Sequence, residues 1–173
     1  MKLAIVTTLA LAAGTATAVA QPAAAPPFEA SLIGAKGDAI GKVALRGGGD
    51  LTVVRITVNA GGLTPGWHGL HFHAVGDCSD TGQFQLSKGH VNHDSSKHGL
   101  LNAEGPDDGD LPNLYASADG SANVEVVTGL PLSGEQGLRD ADGSALVIHA
   151  NEDDHTTQPI GNAGARVACA VIK

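Results

Sequence analysis

Short stretches with the composition of β-strands recur along this chain, and glycine-rich turns separate them. The eight runs are Phe28–Ile33, Lys42–Arg46, Leu51–Asn59, His68–Ala74, Leu114–Ser117, Asn123–Val127, Ala145–His149 and Arg166–Ile172. In the third run Val54, Ile56 and Val58 occupy alternate positions, which is the period of a strand with one buried face. The chain contains 24 glycines and 8 prolines, and no segment has a clear helical period. The pattern predicts an all-β fold, an antiparallel sandwich or barrel of eight strands.

The hydrophobic core must be aliphatic, because aromatic residues make up only 3% of the chain. The dipeptide Asp119-Gly120 lies between two of the runs and predicts a tight hairpin turn, since Asp-Gly tolerates positive φ. In the last run Cys169 shares a face with Val167 and Val171, and we expect Cys169 to point inward.

The first twenty residues have the pattern of a secretory signal peptide. Lys2 gives a basic start, residues 3–13 are apolar, and Ala18-Val19-Ala20 offers a small-residue cleavage site. We therefore expect a signal peptide at 1–20, cut near Ala20, a short linker at 21–27, and one domain at 28–173. A bacterial periplasm is the expected destination.

The charge of the chain argues against nucleic acid as a partner. The formal net charge is −8, no basic run is present, and nucleic-acid binding requires concentrated positive charge. No segment after the signal peptide is long and apolar enough to predict a membrane span.

Two connections between the predicted strands are unusually long, 75–113 and 150–165. Structureless connections of this length in a compact domain are usually functional or disordered. The first contains three histidines, several aspartates and Cys78, so we predict that it is ordered and functional. Cys78 and Cys169 are the two cysteines of the chain, and in an exported protein a disulfide is more probable than a thiolate metal site.

The eight histidines all lie between His68 and His155. His71 and His73 are two residues apart, so on a strand their side chains point to the same face and can share one metal ion. Further nitrogen and oxygen donors follow at His90, His98, Asp107, Asp110 and His149. Imidazole suits copper and zinc, and carboxylate can complete a zinc site, so the donor set is sufficient for two metal ions.

The chain resembles the copper-zinc superoxide dismutase family across residues 28–173. Four stretches carry the resemblance: Pro-Gly-Trp-His-Gly-Leu-His-Phe-His (65–73) with Gly-Asp-Cys (76–78), Gly-His-Val-Asn (89–92) running to Lys-His-Gly (97–99), Gly-Asp-Leu-Pro-Asn (109–113), and Gly-Asn-Ala-Gly-Ala-Arg-Val-Ala-Cys (161–169). The resemblance implies a Greek-key β-sandwich whose two long loops carry the metal site.

The resemblance also implies a role for each donor, carried over by position. Copper ligands are expected at His71, His73, His90 and His149, and zinc ligands at His90, His98 and Asp110, with His90 bridging the two metals. Asp153 is expected to link a copper ligand to a zinc ligand by hydrogen bonds, and Arg166 to guide and hold an anionic substrate. Cys78 and Cys169 match the family disulfide, and His68 is expected to support the site from behind.

One position departs from the family pattern. Where the family has a further zinc histidine, in a Gly-Pro-His-x-Gly-Asp segment, this chain has Asp107. Our first interpretation is that Asp107 is the fourth zinc ligand, since zinc accepts carboxylate oxygen. Two alternatives remain: Asp107 is a solvated loop acid with zinc held by three ligands and water, or His93 replaces it. His155, in the second loop, is interpreted as a histidine at the channel rim.

The implied reaction is the conversion of superoxide to dioxygen and hydrogen peroxide, with copper cycling between Cu(II) and Cu(I) beside a histidine-bridged zinc. The alternatives are a copper-only dismutase and a non-catalytic copper- or zinc-binding module of the periplasm. Superoxide is the expected partner. The family includes dimers and monomers, so a homodimer stays open.

Overall fold

The computed structural model describes residues 27–173. The predicted signal peptide and nearly all of the predicted linker lie outside the described residues. In this described part of the chain nine strands follow one another: β1 Phe28–Gly34, β2 Ala39–Gly48, β3 Leu51–Val58, β4 Gly66–His68, β5 Leu70–His73, β6 Leu114–Ala116, β7 Ala122–Thr128, β8 Ser144–His149 and β9 Arg166–Ile172. A 3₁₀ turn spans Gln85–Ser87. Among the described residues, no helix is long and apolar enough to cross a membrane.

Seven strands form one antiparallel sheet in the order β5-β8-β9-β1-β2-β3-β7, and β4 pairs with β6 in a small second sheet. The all-β sandwich or barrel predicted from the sequence is therefore confirmed. The core is aliphatic as predicted, and Val43, Leu45, Val54 and Ile56 of the central strands are among its fully buried side chains.

The predicted strand His68–Ala74 is divided into β4 and β5, so residues 27–173 form nine strands and not eight. At Gly69 the backbone N–H donates to the carbonyl of Asn151, and the Gly69 carbonyl accepts from the N–H of His149. At this residue the chain thus stops pairing with β6, the partner of β4, and begins to pair with β8, the partner of β5. A Cβ atom at position 69 would lie only 2.7 Å from the Cβ of Ala163, so glycine permits this close approach.

Strands β5, β8 and β9 are buried on both faces. Their inner face packs on the main core, whereas the outer face of β8 and β9 contacts Cys78 and Phe84 of the first long connection. Cys169 is fully buried, but it lies on this outer face, because Ala168 and Ala170 take the inward positions. The prediction that Cys169 points inward is confirmed, since its side chain is fully buried. The residues that cover it include Cys78 and Phe84 of the first long connection and do not belong to the main core.

Both long connections lack strands, as predicted, apart from isolated bridges in the first. A third connection, 129–143, is nearly as long as the second and was not among the long connections predicted; it contains no histidine. The Asp119-Gly120 turn forms as expected. Gly120 has φ +79°, and its N–H donates to the Ser117 carbonyl at 2.8 Å.

Candidate metal centre

Three histidines meet on the outer face of the sheet, beneath the long connections. His71 and His73 are alternate residues of β5, and His149 ends β8, which is the hydrogen-bonded neighbour of β5. One ring nitrogen from each lies within 4.8 Å of the others, and all three residues are buried. The pairing of β5 with β8 therefore brings together the three histidines that are predicted to bind copper but not zinc.

Each of these three rings has one bonded nitrogen and one free nitrogen. His71 Nε2 bonds to Asp153 at 2.6 Å, His73 Nδ1 to the carbonyl of Lys88 at 2.8 Å, and His149 Nδ1 to the carbonyl of Gly164 at 3.0 Å. The opposite nitrogens, His71 Nδ1, His73 Nε2 and His149 Nε2, are buried without any hydrogen-bond partner. Buried polar atoms in proteins rarely lack partners. Three unpaired imidazole nitrogens facing one space fit a metal ion that accepts nitrogen ligands.

The charge state of these rings also suits metal binding. Burial, followed by the charge of Arg166, lowers the pKa of His73 to about 2. Burial and the neighbouring His71 lower the pKa of His149 to about 3. Both imidazoles are therefore neutral at pH 7, which is the form that binds a metal.

A second group of donors lies entirely within the connection 75–113. His90, His98, Asp107 and Asp110 each place one nitrogen or oxygen within 4.8 Å of the others. Asp107 Oδ2 lies 2.8 Å from His90 Nδ1, and Asp110 Oδ1 lies 2.6 Å from His98 Nδ1. Two imidazoles and two carboxylates form a donor set that fits tetrahedral zinc.

His90 lies between the two groups. Its Nδ1 faces the carboxylates, while its Nε2 is buried without a partner. The centroid of the His90 ring is 4.3 Å from that of His71 and 5.2 Å from that of His73. One ring therefore reaches both donor groups.

Asp153 links the two donor groups through hydrogen bonds to one histidine ring in each. Its Oδ2 bonds to His71 Nε2 at 2.6 Å, and its Oδ1 lies 3.2 Å from His98 Nε2. Burial alone would raise the pKa of Asp153, but these two hydrogen bonds lower it below its usual value. Burial likewise opposes the charged form of His98, but its bonds to Asp110 and Asp153 raise the pKa of His98 to about 10. Without metal, this centre therefore pairs an imidazolium with two carboxylates.

Arg166 borders the cavity that leads to these histidines. The cavity has a volume of about 350 Å³ and is lined by residues that include His73, His90, Gln158 and Arg166. The guanidinium donates to the carbonyls of Phe84 at 2.6 Å and Lys88 at 2.7 Å, so its position is fixed. It supplies a held positive charge beside the three-histidine group.

The comparisons with known proteins agree with this geometry. The family model for copper/zinc superoxide dismutase matches residues 39–172. The chain belongs to the copper/zinc superoxide dismutase family. A relative from Caulobacter vibrioides named superoxide dismutase [Cu-Zn] is 55% identical over 117 residues, 65% of this chain and 67% of the relative. Superoxide dismutase [Cu-Zn] 2 of Aquifex aeolicus is 40% identical over 148 residues, 83% of this chain and 85% of the relative.

Solved structures of this family share the fold. A SOD-like protein from Bacillus subtilis superposes with a TM-score of 0.79 at 32% identity, covering 86% of this chain and 100% of that chain. The Cu/Zn superoxide dismutase from Brucella abortus gives a TM-score of 0.68 at 26% identity, covering 85% and 99% of the two chains.

The disulfide predicted from the family is present. Cys78 and Cys169 are bonded, with 5.9 Å between their Cα atoms. The bond joins the start of the first long connection to β9 and so anchors the segment that carries His90 and the Arg166 contacts.

The remaining histidines lie outside the two donor groups. His68 is buried, and its ring nitrogens contact the carbonyls of His149 at 2.6 Å and Thr64 at 2.8 Å, so it supports β8 and offers no nitrogen to a metal. His93 is exposed and belongs to neither group; its backbone N–H donates to Asp108 at 2.6 Å. His155 Nε2 lies 3.2 Å from the side-chain amide of Asn113.

Sequence reasoning missed two amide side chains at the site. Asn113 Oδ1 accepts from the Asp153 N–H at 2.9 Å, and its Nδ2 donates to the Asp153 carbonyl at 2.8 Å. Gln158 makes the equivalent pair of bonds with the backbone of His98. Asn113 ends the Gly-Asp-Leu-Pro-Asn motif, which could have identified it, whereas no pattern in the sequence singles out Gln158.

Proposed function

We propose that this chain is a superoxide dismutase that converts two superoxide ions and two protons to dioxygen and hydrogen peroxide. Bound copper supplies the one-electron redox chemistry, while bound zinc is redox-inert and supplies charge and orientation. His71, His73, His149 and His90 would hold copper, and His90, His98, Asp107 and Asp110 would hold zinc. The observation that carries the proposal is the set of four buried imidazole nitrogens without partners, one on each copper histidine.

The residues of the chain perform the remaining work. Arg166 attracts the anionic substrate and holds it at the cavity, against the negative charge of the molecule as a whole. His90 Nε2 faces the same space and is the group placed to take up a proton and pass it to the reduced substrate. Asp153 orients the rings of His71 and His98 from the far side.

Metal analysis of the purified protein, combined with an assay of superoxide dismutation, tests the proposal. Copper and zinc in equal amounts with rapid turnover are expected. A copper-only dismutase would be active without zinc, and a metal-binding module would bind metal without turnover, so either result would contradict the proposal.

Arg166→Glu tests the role assigned to Arg166. The rate of superoxide dismutation should fall sharply, because the positive charge that attracts superoxide is lost. Added salt screens that attraction in the parent and slows it, but should no longer slow the variant. Arg46→Glu makes the same change in charge on the outer surface of β2 and is the matched control. Equal rates in Arg166→Glu and the parent would contradict the assignment.

The assignment of Asp107 to zinc is tested separately. Asp107→Ala is expected to bind zinc at least about 10-fold more weakly, because even a group that only orients a ligand contributes about 10- to 100-fold. His93→Ala should bind zinc as the parent does. Parent-like zinc affinity in Asp107→Ala would favour three ligands and water, and weakened affinity in His93→Ala would favour His93.

Export to a periplasm, with cleavage near Ala20, is part of the same proposal. The disulfide and the bacterial relatives support an oxidising compartment. N-terminal sequencing of the protein from a periplasmic fraction would test the cleavage position. A homodimer stays a prediction, and sedimentation equilibrium of the metal-loaded protein tests it.

A further inference from the structure

The two long connections hold each other through a reciprocal pair of amide side chains. Asn113 at the end of the first connection binds both backbone polar groups of Asp153 in the second. In the opposite direction, Gln158 of the second connection binds both backbone polar groups of His98 in the first. Each amide thus fixes the backbone of a residue whose side chain lies at the metal centre.

The contacts of Gln158 are specific. Its Oε1 accepts from the His98 N–H at 3.1 Å, and its Nε2 donates to the His98 carbonyl at 2.7 Å. Nε2 also donates to the Thr156 carbonyl at 3.1 Å. Only one orientation of the amide satisfies these bonds, because the N–H needs an acceptor and the carbonyls need a donor.

His98 is held at every polar atom. Its ring bonds to Asp110 and Asp153, while its backbone bonds to Gln158. Two carboxylates thus limit rotation of the ring. The amide of Gln158 limits displacement of the backbone, together with Asn102 Nδ2, which donates to the same His98 carbonyl at 3.0 Å. The residue is only 3% exposed.

Gln158 also lines the cavity that Arg166 borders. Pro159 and Ile160 follow it and line the same 350 Å³ space as His90 and Arg166. Gln158 is therefore the side chain that joins the backbone of His98 to the cavity wall at 158–160, beside the bond between the His98 ring and Asp153.

We propose that Gln158 is a positioning residue that holds the zinc ligand His98 and couples zinc occupancy to the order of the cavity wall at 158–160. The inference rests on the proposed function, because it takes His98 as a zinc ligand. Outer groups that orient a ligand typically change metal affinity by about 10- to 100-fold. Gln158 touches backbone only, so we expect a change on the order of 10-fold.

The experiment compares Gln158→Met with Gln85→Met in the full chain loaded with copper and zinc. Methionine has a similar length but neither donates nor accepts as an amide does. Gln85 is an exposed glutamine of the first connection whose amide makes a single bond of 3.3 Å, to the Gln83 carbonyl, so it is the matched control. Zinc loss to a chromophoric chelator should be about 10-fold faster in Gln158→Met and unchanged in Gln85→Met.

A second readout separates positioning from a general loss of structure. In the parent, zinc should protect the backbone N–H groups of Gln158 and Ile160 from hydrogen exchange; Pro159 between them has no N–H. In Gln158→Met this zinc-dependent protection should disappear while copper retention stays unchanged. Gln158→Glu keeps the acceptor for the His98 N–H but places a carboxylate against the His98 carbonyl, so it should also lose zinc faster. If Gln158→Met folds poorly, as its thermal unfolding would reveal, Gln158→Glu carries the test.

Parent-like zinc loss together with parent-like protection in the variants would overturn this inference and leave the proposed function intact. A parent protein that holds no zinc would overturn the proposed function itself, so the two failures are distinguishable.

Discussion

Gly161 offers a direct test of the hydrogen-bonded frame behind the metal centre. The residue is buried, and a Cβ atom at this position would overlap Asp153 Oδ1 and lie 2.6 Å from Asp153 Cγ and 3.0 Å from His98 Nε2. In Gly161→Ala the Asp153 carboxylate must retreat by well over an ångström. Its bonds of 2.6 Å to His71 and 3.2 Å to His98 cannot survive such a movement.

The expected magnitude follows from the loss of these two bonds. Removing an outer-sphere partner lowers metal affinity by about 10- to 100-fold, which is about 1.4–2.7 kcal/mol. The alanine also adopts φ +56°, and this left-handed conformation costs about 1–2 kcal/mol of folding stability. Two separate effects are therefore expected, one on zinc affinity and one on stability.

Gly61→Ala provides the control for the backbone effect. Gly61 has φ +79°, but a Cβ atom there would meet nothing within 4 Å. Thermal unfolding of the metal-free proteins should show a similar loss in both variants, plus a steric loss in Gly161→Ala. Zinc titration against a competing chelator should show weakened binding in Gly161→Ala alone. Zinc affinity equal to the parent in Gly161→Ala would refute the role given to Asp153.

Three further predictions concern residues of the first connection. Lys88 has φ +66° and ψ −149°, a backbone conformation almost restricted to glycine. Lys88→Gly should therefore raise the midpoint of thermal unfolding by a few degrees. Lys88→Ala keeps the backbone strain and should not raise it. Cys78→Ser removes a disulfide that spans 91 residues and should cost about 4–5 kcal/mol in the free energy of unfolding by the chain-entropy model; a loss below about 1 kcal/mol in chemical denaturation would contradict that estimate. The pKa of His98 is raised to about 10 in the metal-free protein, so zinc must displace a proton from its ring. Calorimetry at pH 7 should therefore detect proton release, and the affinity for zinc should increase as the pH rises toward 10. A heat of zinc binding that does not depend on the buffer would contradict this prediction.

The same pKa values give the pH dependence of stability for the metal-free protein. The pKa of His98 is raised on folding, so its protonated ring contributes to the free energy of unfolding. This contribution is complete below about pH 6.5 and is lost as the pH rises through about 10. The pKa values of His73 and His149 are lowered, to about 2 and about 3, so these residues destabilise the fold as the pH falls below about 6.5. The stability of the metal-free protein should therefore decline on both sides of a maximum near neutral pH.

The sequence predicts the parts of this molecule that depend on local patterns. Alternation in Leu51–Val58 identifies a strand, and Asp119-Gly120 identifies a turn, because both depend on the residues themselves. The pairing of β5 with β8 cannot be read from periodicity, although it sets His149 beside His71. The assignment of His149 to copper together with His71 came from the family resemblance, and the pairing itself was not predicted.

Other features depend on contacts between segments distant in the chain. The break at Gly69 exists because the backbone of residue 151 and the side chain of Ala163 approach there. The outer face of β9 is buried because Phe84 covers it, so alternation alone could not assign the side of Cys169. Gln158 contacts the backbone of His98, and such a contact places no requirement on the side chain at position 98, so no sequence pattern links the two positions.

Asp107 performs two tasks that a single imidazole at this position could not. Its Oδ1 accepts the N–H of Gly109 at 3.0 Å, which closes the turn leading to Asp110, while its Oδ2 lies 2.8 Å from His90 Nδ1. A carboxylate has two oxygens with several lone pairs, whereas a neutral imidazole has one acceptor nitrogen. With histidine at 107, a nitrogen directed toward the metal would leave the Gly109 N–H without this partner, although that N–H is buried. The aspartate therefore keeps the turn and the donor set together before any metal binds, in a connection that no strand ladder supports.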